Sequence, residues 1–256
     1  MNSKVALVTG ASSGIGEATA LKLNQLGYTV YAVARRTDRM SALAEVGIEI
    51  MSMDVTNDAS MQTGIERIIT KSGRIDVLVN NAGYGSYGAV EDVPLDEARA
   101  QFDVNVFGAV RLIQLATPYM RKQGSGTVIN ITSMGGKIHT PLGAWYHGTK
   151  FALEAISDCL RLELKPFGID VVVIELGGIK TEWAGIASEK LLHTSGQGSY
   201  ASQAAAMANS MVSEQSRKMQ SPPSVIANTI AKAVLSKKPK TRYAVGFACK
   251  TNDIYA

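Results

Sequence analysis

The sequence sets a phenol and an ammonium four residues apart, in Tyr146-His147-Gly148-Thr149-Lys150. On a helix that spacing puts both side chains on one face, about one turn from each other. The cation favours the phenolate, so the phenol's pKa should fall from its reference of about 10 towards working pH. Tyr146 then becomes usable as a general acid and base. A surface helix with an amphipathic Tyr and a solvated Lys has the same spacing, so the surrounding elements must decide.

The first of those elements is a short apolar run, Val5–Val8, which reads as a buried parallel strand closing on TGASSGIG, Thr9 to Gly16. Ile15, Ala18, Leu21 and Leu26 fall on an arc of a following helix, and Gly27 stands where its cap belongs. The glycines therefore lie at a strand-to-helix turn. Gly10 permits the tight turn, Gly14 lets backbone approach a pyrophosphate, and Gly16 lets helix and strand pack. The N–H groups of the helix start, with Ser12, Ser13 and Ile15, would hold phosphates. Tyr28–Ala34 reads as the second strand. Where NAD-binding folds carry a ribose-binding carboxylate, this chain has Ala34 followed by Arg35-Arg36. Guanidinium groups grip a 2′-phosphate, which points to NADP.

Glu49–Met53 resembles a third strand. Asp54 can accept from an adenine amino group, with Val55 packed on the ring, or it can cap the helix beginning near Asn57 or Asp58. Both readings stand on sequence grounds. Ile75–Asn80 is a fourth strand running into Asn80-Asn81-Ala82-Gly83, whose small residues let backbone come close to a ribose or ring. A flexible loop, Tyr84-Gly85-Ser86-Tyr87-Gly88, follows. Phe102, Val106, Ala109, Ile113 and Ala116 have helical spacing, and Asn105 falls among them, where its propensity is low. Thr127–Ile131 is the fifth strand. Ser133 lies just past its carboxyl end, where open α/β sheets place their sites.

The helix from about Ala144 to Phe167 is apolar on two stripes: Leu153, Ile156, Leu160 and Leu164, then Ala152, Ala155, Cys159 and Leu162. It needs cover from the sheet and from something else, such as a second subunit. Asp170–Leu176 is the sixth strand, followed by Gly177-Gly178-Ile179-Lys180-Thr181. From 182 to 223 periodicity is weak, and the segment reads as an irregular substrate-loop insert. Val225–Leu235 is helical and Arg242–Gly246 a last short strand. Alternating strands and helices predict an α/β fold: one Rossmann-like, doubly wound domain over 1–256, with a parallel sheet of about seven strands.

Composition agrees: 256 residues, 46% apolar and 19% charged, with a formal charge of +4. No apolar run reaches the roughly 20 residues a spanning helix needs, and Met1-Asn2-Ser3-Lys4 is no secretory leader. Cys159 and Cys249, like His139, His147 and His193, lack ligand spacing. The expectation is a cytoplasmic protein without a metal. Lys237-Lys238-Pro239-Lys240-Thr241-Arg242 reads as a solvated loop, with no nucleic-acid partner implied.

Taken together, these residues resemble the short-chain dehydrogenase/reductase family in its single-domain form, most closely the bacterial NADPH-dependent carbonyl reductases and their steroid-dehydrogenase-like relatives. TGASSGIG, Asn80-Asn81-Ala82-Gly83, Asn105, Ser133 and Tyr146-x-x-x-Lys150 occur in the family's order, with the family's separation of 13 residues between Ser133 and Tyr146 (146 − 133). The resemblance implies that Ser133 binds a substrate carbonyl and Tyr146 protonates it as hydride arrives from the nicotinamide. It implies that Lys150 binds the nicotinamide ribose and lowers the Tyr146 pKa, and that Asn105 holds a water linking Lys150 to solvent. The Ile179 backbone and Thr181, beside Gly178, would hold the carboxamide. Leu176-Gly177 departs from the family's usual Pro-Gly, and the chain is short beyond its last strand, ending Asn252-Asp253-Ile254-Tyr255-Ala256.

The expected activity is NADPH-dependent, reversible reduction of a ketone or aldehyde. Met134, Ile138, Leu142, Trp145, Trp183, Leu191 and Tyr200 are candidates for an apolar substrate pocket, suited to a hydrophobic ketone. Reduction of a 3-oxoacyl thioester is the alternative within the same chemistry. A non-catalytic NADP sensor is the alternative from another class, and the intact proton-transfer set argues against it. A homodimer or homotetramer is expected from the resemblance.

Overall fold

The computed structural model describes residues 3–247; Cys249 and the segment Asn252–Ala256 lie outside them. Among the described residues seven strands, β1 Val5–Thr9, β2 Thr29–Ala34, β3 Glu49–Ser52, β4 Val77–Asn80, β5 Gly126–Ile131, β6 Ile169–Leu176 and β7 Arg242–Val245, form one sheet. Their order is β3-β2-β1-β4-β5-β6-β7 and every pair is parallel. Parallel strands need crossovers, which here are α1 Gly14–Gln25, α2 Ser41–Glu45, α3 Asp58–Ser72, α4 Leu95–Phe102, α5 Gly108–Gln123 and α6 Ala144–Leu164. After β6 come α7 Trp183–Ser195, α8 Ala201–Val212, α9 Glu214–Met219 and α10 Pro223–Leu235.

Successive strand residues point to opposite faces, and this divides the core in two. Ala6, Val8, Val30, Ala32, Val79 and Ile129 meet α1 and α10 on one face. Leu7, Tyr31, Val33, Leu78 and Val128 meet α3, α5 and α6 on the other. On α1 the fully buried stripe is Gly16, Thr19, Ala20 and Leu23, one step round from the predicted arc. Ile15, Leu21 and Leu26 are its partly buried flanks, because Gly16 rather than a large side chain makes the closest approach.

The segment 182–223 is helical, not irregular. Ala187, Leu191, Ala204 and Ala208 form a small core there with Tyr87, Ala89, Leu142 and Tyr146, flanked by Trp183, Tyr200, Met207 and Met211. Its periodicity is faint because small residues do the packing and both helix faces are used. Leu191, a candidate pocket residue, is fully buried in this core instead. Between α4 and α5 the helix continues through one wider π turn, Asp103–Phe107, which contains Asn105. Such turns re-aim a side chain without breaking the helix. The outer stripe of α6 is uncovered, with Ala155 and Cys159 exposed and Leu162 75% exposed.

Candidate active site

The order of the sheet reverses at β1, which has β2 on one side and β4 on the other. A crevice opens outside the carboxyl ends of strands at such a point. The Thr9 hydroxyl ties the two strand ends together. It accepts from the Asn81 and Ala82 N–H groups, each at 3.0 Å, and donates to the Val79 carbonyl at 3.2 Å. Asn81 Nδ2 returns a bond to the Thr9 carbonyl at 2.9 Å. Gly10 and Gly14 sit at φ +65° and +60°, in the left-handed region that favours glycine. A Cβ on Gly16 would overlap the Gly10 carbonyl oxygen, so α1 can approach the turn only at a glycine.

A cleft of about 760 Å³ runs along this edge, lined by Gly10, Ser12, Ser13, Gly14, Ile15, Asn81, Ala82 and Gly83. Ser13 at the N-cap makes no side-chain bond to α1, leaving the first N–H groups of that helix to a ligand anion. Space and donors both fit a dinucleotide pyrophosphate. Towards one end Arg35 and Arg36 line the cleft, exposed, with Asp54 and Val55. Asp54 Oδ1 accepts from the Thr56 N–H at 2.9 Å and hydroxyl at 2.8 Å. Burial raises its carboxyl pKa, but these two bonds and the Arg35 charge outweigh it and hold the group below the usual range. The α3 cap is Asn57, accepting from Ser60 N–H at 2.9 Å, so Asp54 is not the helix cap.

At the other end Tyr146 and Lys150 line the cleft together, each 8% exposed. The expected fall of the phenol's pKa is absent. Burial pushes the Tyr146 phenol up to about 12, against a lowering hydrogen bond from Ser133. Lys150 donates to the Ile131 carbonyl at 3.0 Å, and its Nζ stands 5.9 Å from the Tyr146 ring centre. Burial depresses the ammonium to about 8, with the Glu154 charge opposing. One turn of helix brought the two groups to the same site, but removal of water outweighs their coupling.

Asn105 has no idle polar atom. Its Oδ1 accepts from Tyr84 N–H at 3.0 Å, and Nδ2 donates to the Tyr84 carbonyl at 2.9 Å and Thr149 Oγ1 at 3.1 Å. It clips the loop after β4 to α6. Ser133 accepts from Gly135 N–H at 3.0 Å. His147 accepts at Nε2 from Thr140 N–H at 3.2 Å, so Nδ1 carries the proton and donates to the Gly135 carbonyl at 2.9 Å. Thr181 lines the cleft, whereas Gly178 and Ile179 do not. Those two are drawn into bridges with Phe247 and Ser221. Leu176 pairs with Val245 as the last residue of β6, which a proline, lacking an N–H, does not extend.

Trp183 covers the reactive end. Its ring lies 5.2 Å from that of Tyr146 and 5.9 Å from that of Tyr87, and Tyr87 lies 5.5 Å from Tyr146. The indole edge occupies the space a Cβ on Gly85 would take. Leu142 stands in the same cluster behind Tyr146, at φ +62°, while Met134 is half-buried outside the cleft wall. Tyr87, Tyr84, Ile186 and Lys190 were not singled out from the sequence. The clustered tyrosines of the 84–88 loop were the available signal, but nothing in the chain marks which residues of α7 face them.

The fold and this cleft are those of a short chain dehydrogenase: the model of that family matches residues 4–191, and the chain belongs to it. It is therefore an oxidoreductase of a family that works with nicotinamide dinucleotides. A 3-ketodihydrosphingosine reductase of Bacteroides thetaiotaomicron is 40% identical over 182 residues, covering 71% of this chain and 66% of that protein. A short-chain dehydrogenase from Streptomyces avermitilis superposes with a TM-score of 0.85 at 32% identity, over 99% of this chain and 92% of the other. A metagenomic short-chain oxidoreductase, solved in complex with NADP, matches at 26% identity and a TM-score of 0.75, over 94% and 96% of the two chains. Among the described residues no helix is long and apolar enough to cross a membrane, and no cluster could hold a metal ion.

Proposed function

We propose that the protein is an NADPH-dependent reductase of ketones or aldehydes, working reversibly as an alcohol dehydrogenase. The observation that carries this is a buried phenol one turn from a buried Lys150, at the end of a cleft whose middle is a phosphate cradle. The cofactor would supply the hydride. Tyr146, kept protonated by burial, is the proton donor to the carbonyl oxygen, and Ser133 fixes that oxygen beside it. Lys150 stabilises negative charge developing on the phenol and binds ribose hydroxyls. Gly10, Ser12 to Gly16 and Asn81 to Gly83 hold the dinucleotide, with Asp54 and Val55 at its adenine and Thr181 towards its carboxamide; Gly178 and Ile179, off the cleft wall, are left without that role. Asn105 serves by holding the loop at Tyr84. Arg35 and Arg36 select NADP by taking its 2′-phosphate.

The aromatic cover of Trp183 and Tyr87 favours a hydrophobic substrate, with Leu142 behind it. The uncovered α6 stripe, with exposed Phe151 and Leu162, supports a homodimer or homotetramer. The test is NADPH oxidation over a panel of ketones, aldehydes and a 3-oxoacyl thioester, beside Tyr146→Phe. The variant should lose about 10²- to 10⁴-fold in turnover, the range for general acid catalysis, while binding NADPH nearly as before. Turnover equal to wild type in the variant would sink the mechanism.

A further inference from the structure

Tyr146, Lys150 and Glu154 follow one another at intervals of four along α6, at 8%, 8% and 4% exposure. Three ionisable groups in sequence on a buried face are costly unless their charges are compensated. The hydrogen-bond acceptor of Lys150 is a neutral carbonyl, that of Ile131. Compensating charge must reach it from elsewhere, and Glu154 stands one turn further on. Glu154 is held from three elements: by the Thr132 hydroxyl at 2.6 Å, Arg242 Nε at 2.9 Å and Lys137 Nζ at 3.2 Å. Arg242 also reaches Asp158 at 2.6 Å and Glu175 at 3.3 Å, and Lys137 reaches Glu175 at 3.7 Å. Lys137, Lys150, Arg161 and Arg242 thus face Glu154, Asp158 and Glu175, with Arg161 and Arg242 sharing Asp158. The packing leaves Glu154 little freedom: a Cβ on Gly136 would stand 3.0 Å from Glu154 Cγ and 3.1 Å from the Lys150 carbonyl.

We propose that Glu154 is a positioning residue for the reaction, acting through Lys150: its anchored carboxylate keeps the buried ammonium charged beside Tyr146. The inference rests on the reductase reading given above. The charged and titratable groups around this pair are Tyr146, Asp158 and its partner Arg161 on the same helix, Lys137 after β5, Glu175 on β6 and Arg242 on β7, with Asp103 of the π turn on the cleft wall. Removing the negative charge of Glu154 lowers the proton affinity of Lys150 and Tyr146 alike. Removing Arg242 leaves Glu154 less neutralised and raises both.

The test is the pH dependence of kcat for ketone reduction in wild type, Glu154→Gln, Glu154→Asp and Arg242→Gln. The alkaline limb should move down by about one to two pH units in Glu154→Gln, as expected for one charge a helical turn away at intermediate dielectric. It should stay near wild type in Glu154→Asp, which keeps the charge, and move up in Arg242→Gln. A purely structural role lowers kcat equally at every pH, and that result, or limbs that coincide, overturns the proposal. If Glu154→Gln does not fold, Arg242→Gln decides: an upward shift supports the proposal and an unmoved or lowered limb overturns it. Tyr146→Phe in the same series separates the two ideas. Full turnover there removes Tyr146 as the proton donor on which the proposed mechanism rests, no turnover in wild type removes the reductase reading, and an inactive Tyr146→Phe with unmoved limbs removes only the role of Glu154.

Discussion

At one end of the cleft Arg35 and Arg36 stand in water; at the other Tyr146 and Lys150 lie under the rings of Trp183 and Tyr87. One continuous space thus joins two electrostatic media. Charges at the open end are screened and act by matching a ligand's geometry. Charges at the closed end act on each other's protonation, since little water is left to compete. Under the proposed function, recognition falls to the arginine end and proton chemistry to the covered end.

The largest expected effect lies at the closed end. Burial places the folded-state pKa of Lys150 at about 8, below the ordinary 10.5. Between these values the unfolded chain binds the extra proton, so this residue's penalty is full below pH 8 and is relieved as pH rises towards 10.5. Tyr146 has the opposite sign: its raised pKa makes the fold lose stability as pH climbs from 10 to about 12. Denaturant melts should therefore show a rise above pH 8 in wild type that is absent from Lys150→Met. An identical rise in both would show that Lys150 is not held in a dry site.

A smaller effect comes from Gly85→Ala, which must push the Trp183 indole aside because the new methyl takes its place. Trp183 emission should shift to the red and the Tyr146 phenol should titrate closer to 10 as water enters. Unchanged emission would mean that the cover is not set by this contact. The smallest belongs to the open end. Arg35→Ala should weaken NADPH by about tenfold, the loss of one charge-assisted contact, and leave NADH within about twofold. Equal losses for both cofactors would end the distinction drawn for the arginine end.

Much of the scaffold was legible because its signals are local. The apolar run to Thr9, the glycines through Gly16 and the Tyr146–Lys150 spacing each act within a few residues, and the structure brings them to one cleft. What was not legible depends on distant partners. The coupling expected from i,i+4 geometry gave way to burial by Trp183, which lies 37 residues on (183 − 146). The helices of 182–223 were hidden because alanine-rich packing leaves little amphipathic contrast. Asn105 looked awkward in a regular helix; a π turn and two partners, Tyr84 and Thr149, account for it.

The bridge between Ile179 and Ser221 has a separate consequence. The Lys180 N–H donates to the Ser221 carbonyl at 2.9 Å, and the Ser221 N–H to the Gly178 carbonyl at 3.0 Å. The chain between them leaves and re-enters the scaffold through a neck two hydrogen bonds wide. A segment attached in this way behaves as a cassette: its length and sequence can drift, or be grafted, without resetting the register of the sheet. Rewriting the cassette spares the sheet but not the covered end of the cleft, because Trp183, Ala187 and Leu191 pack with Tyr87 and Tyr146.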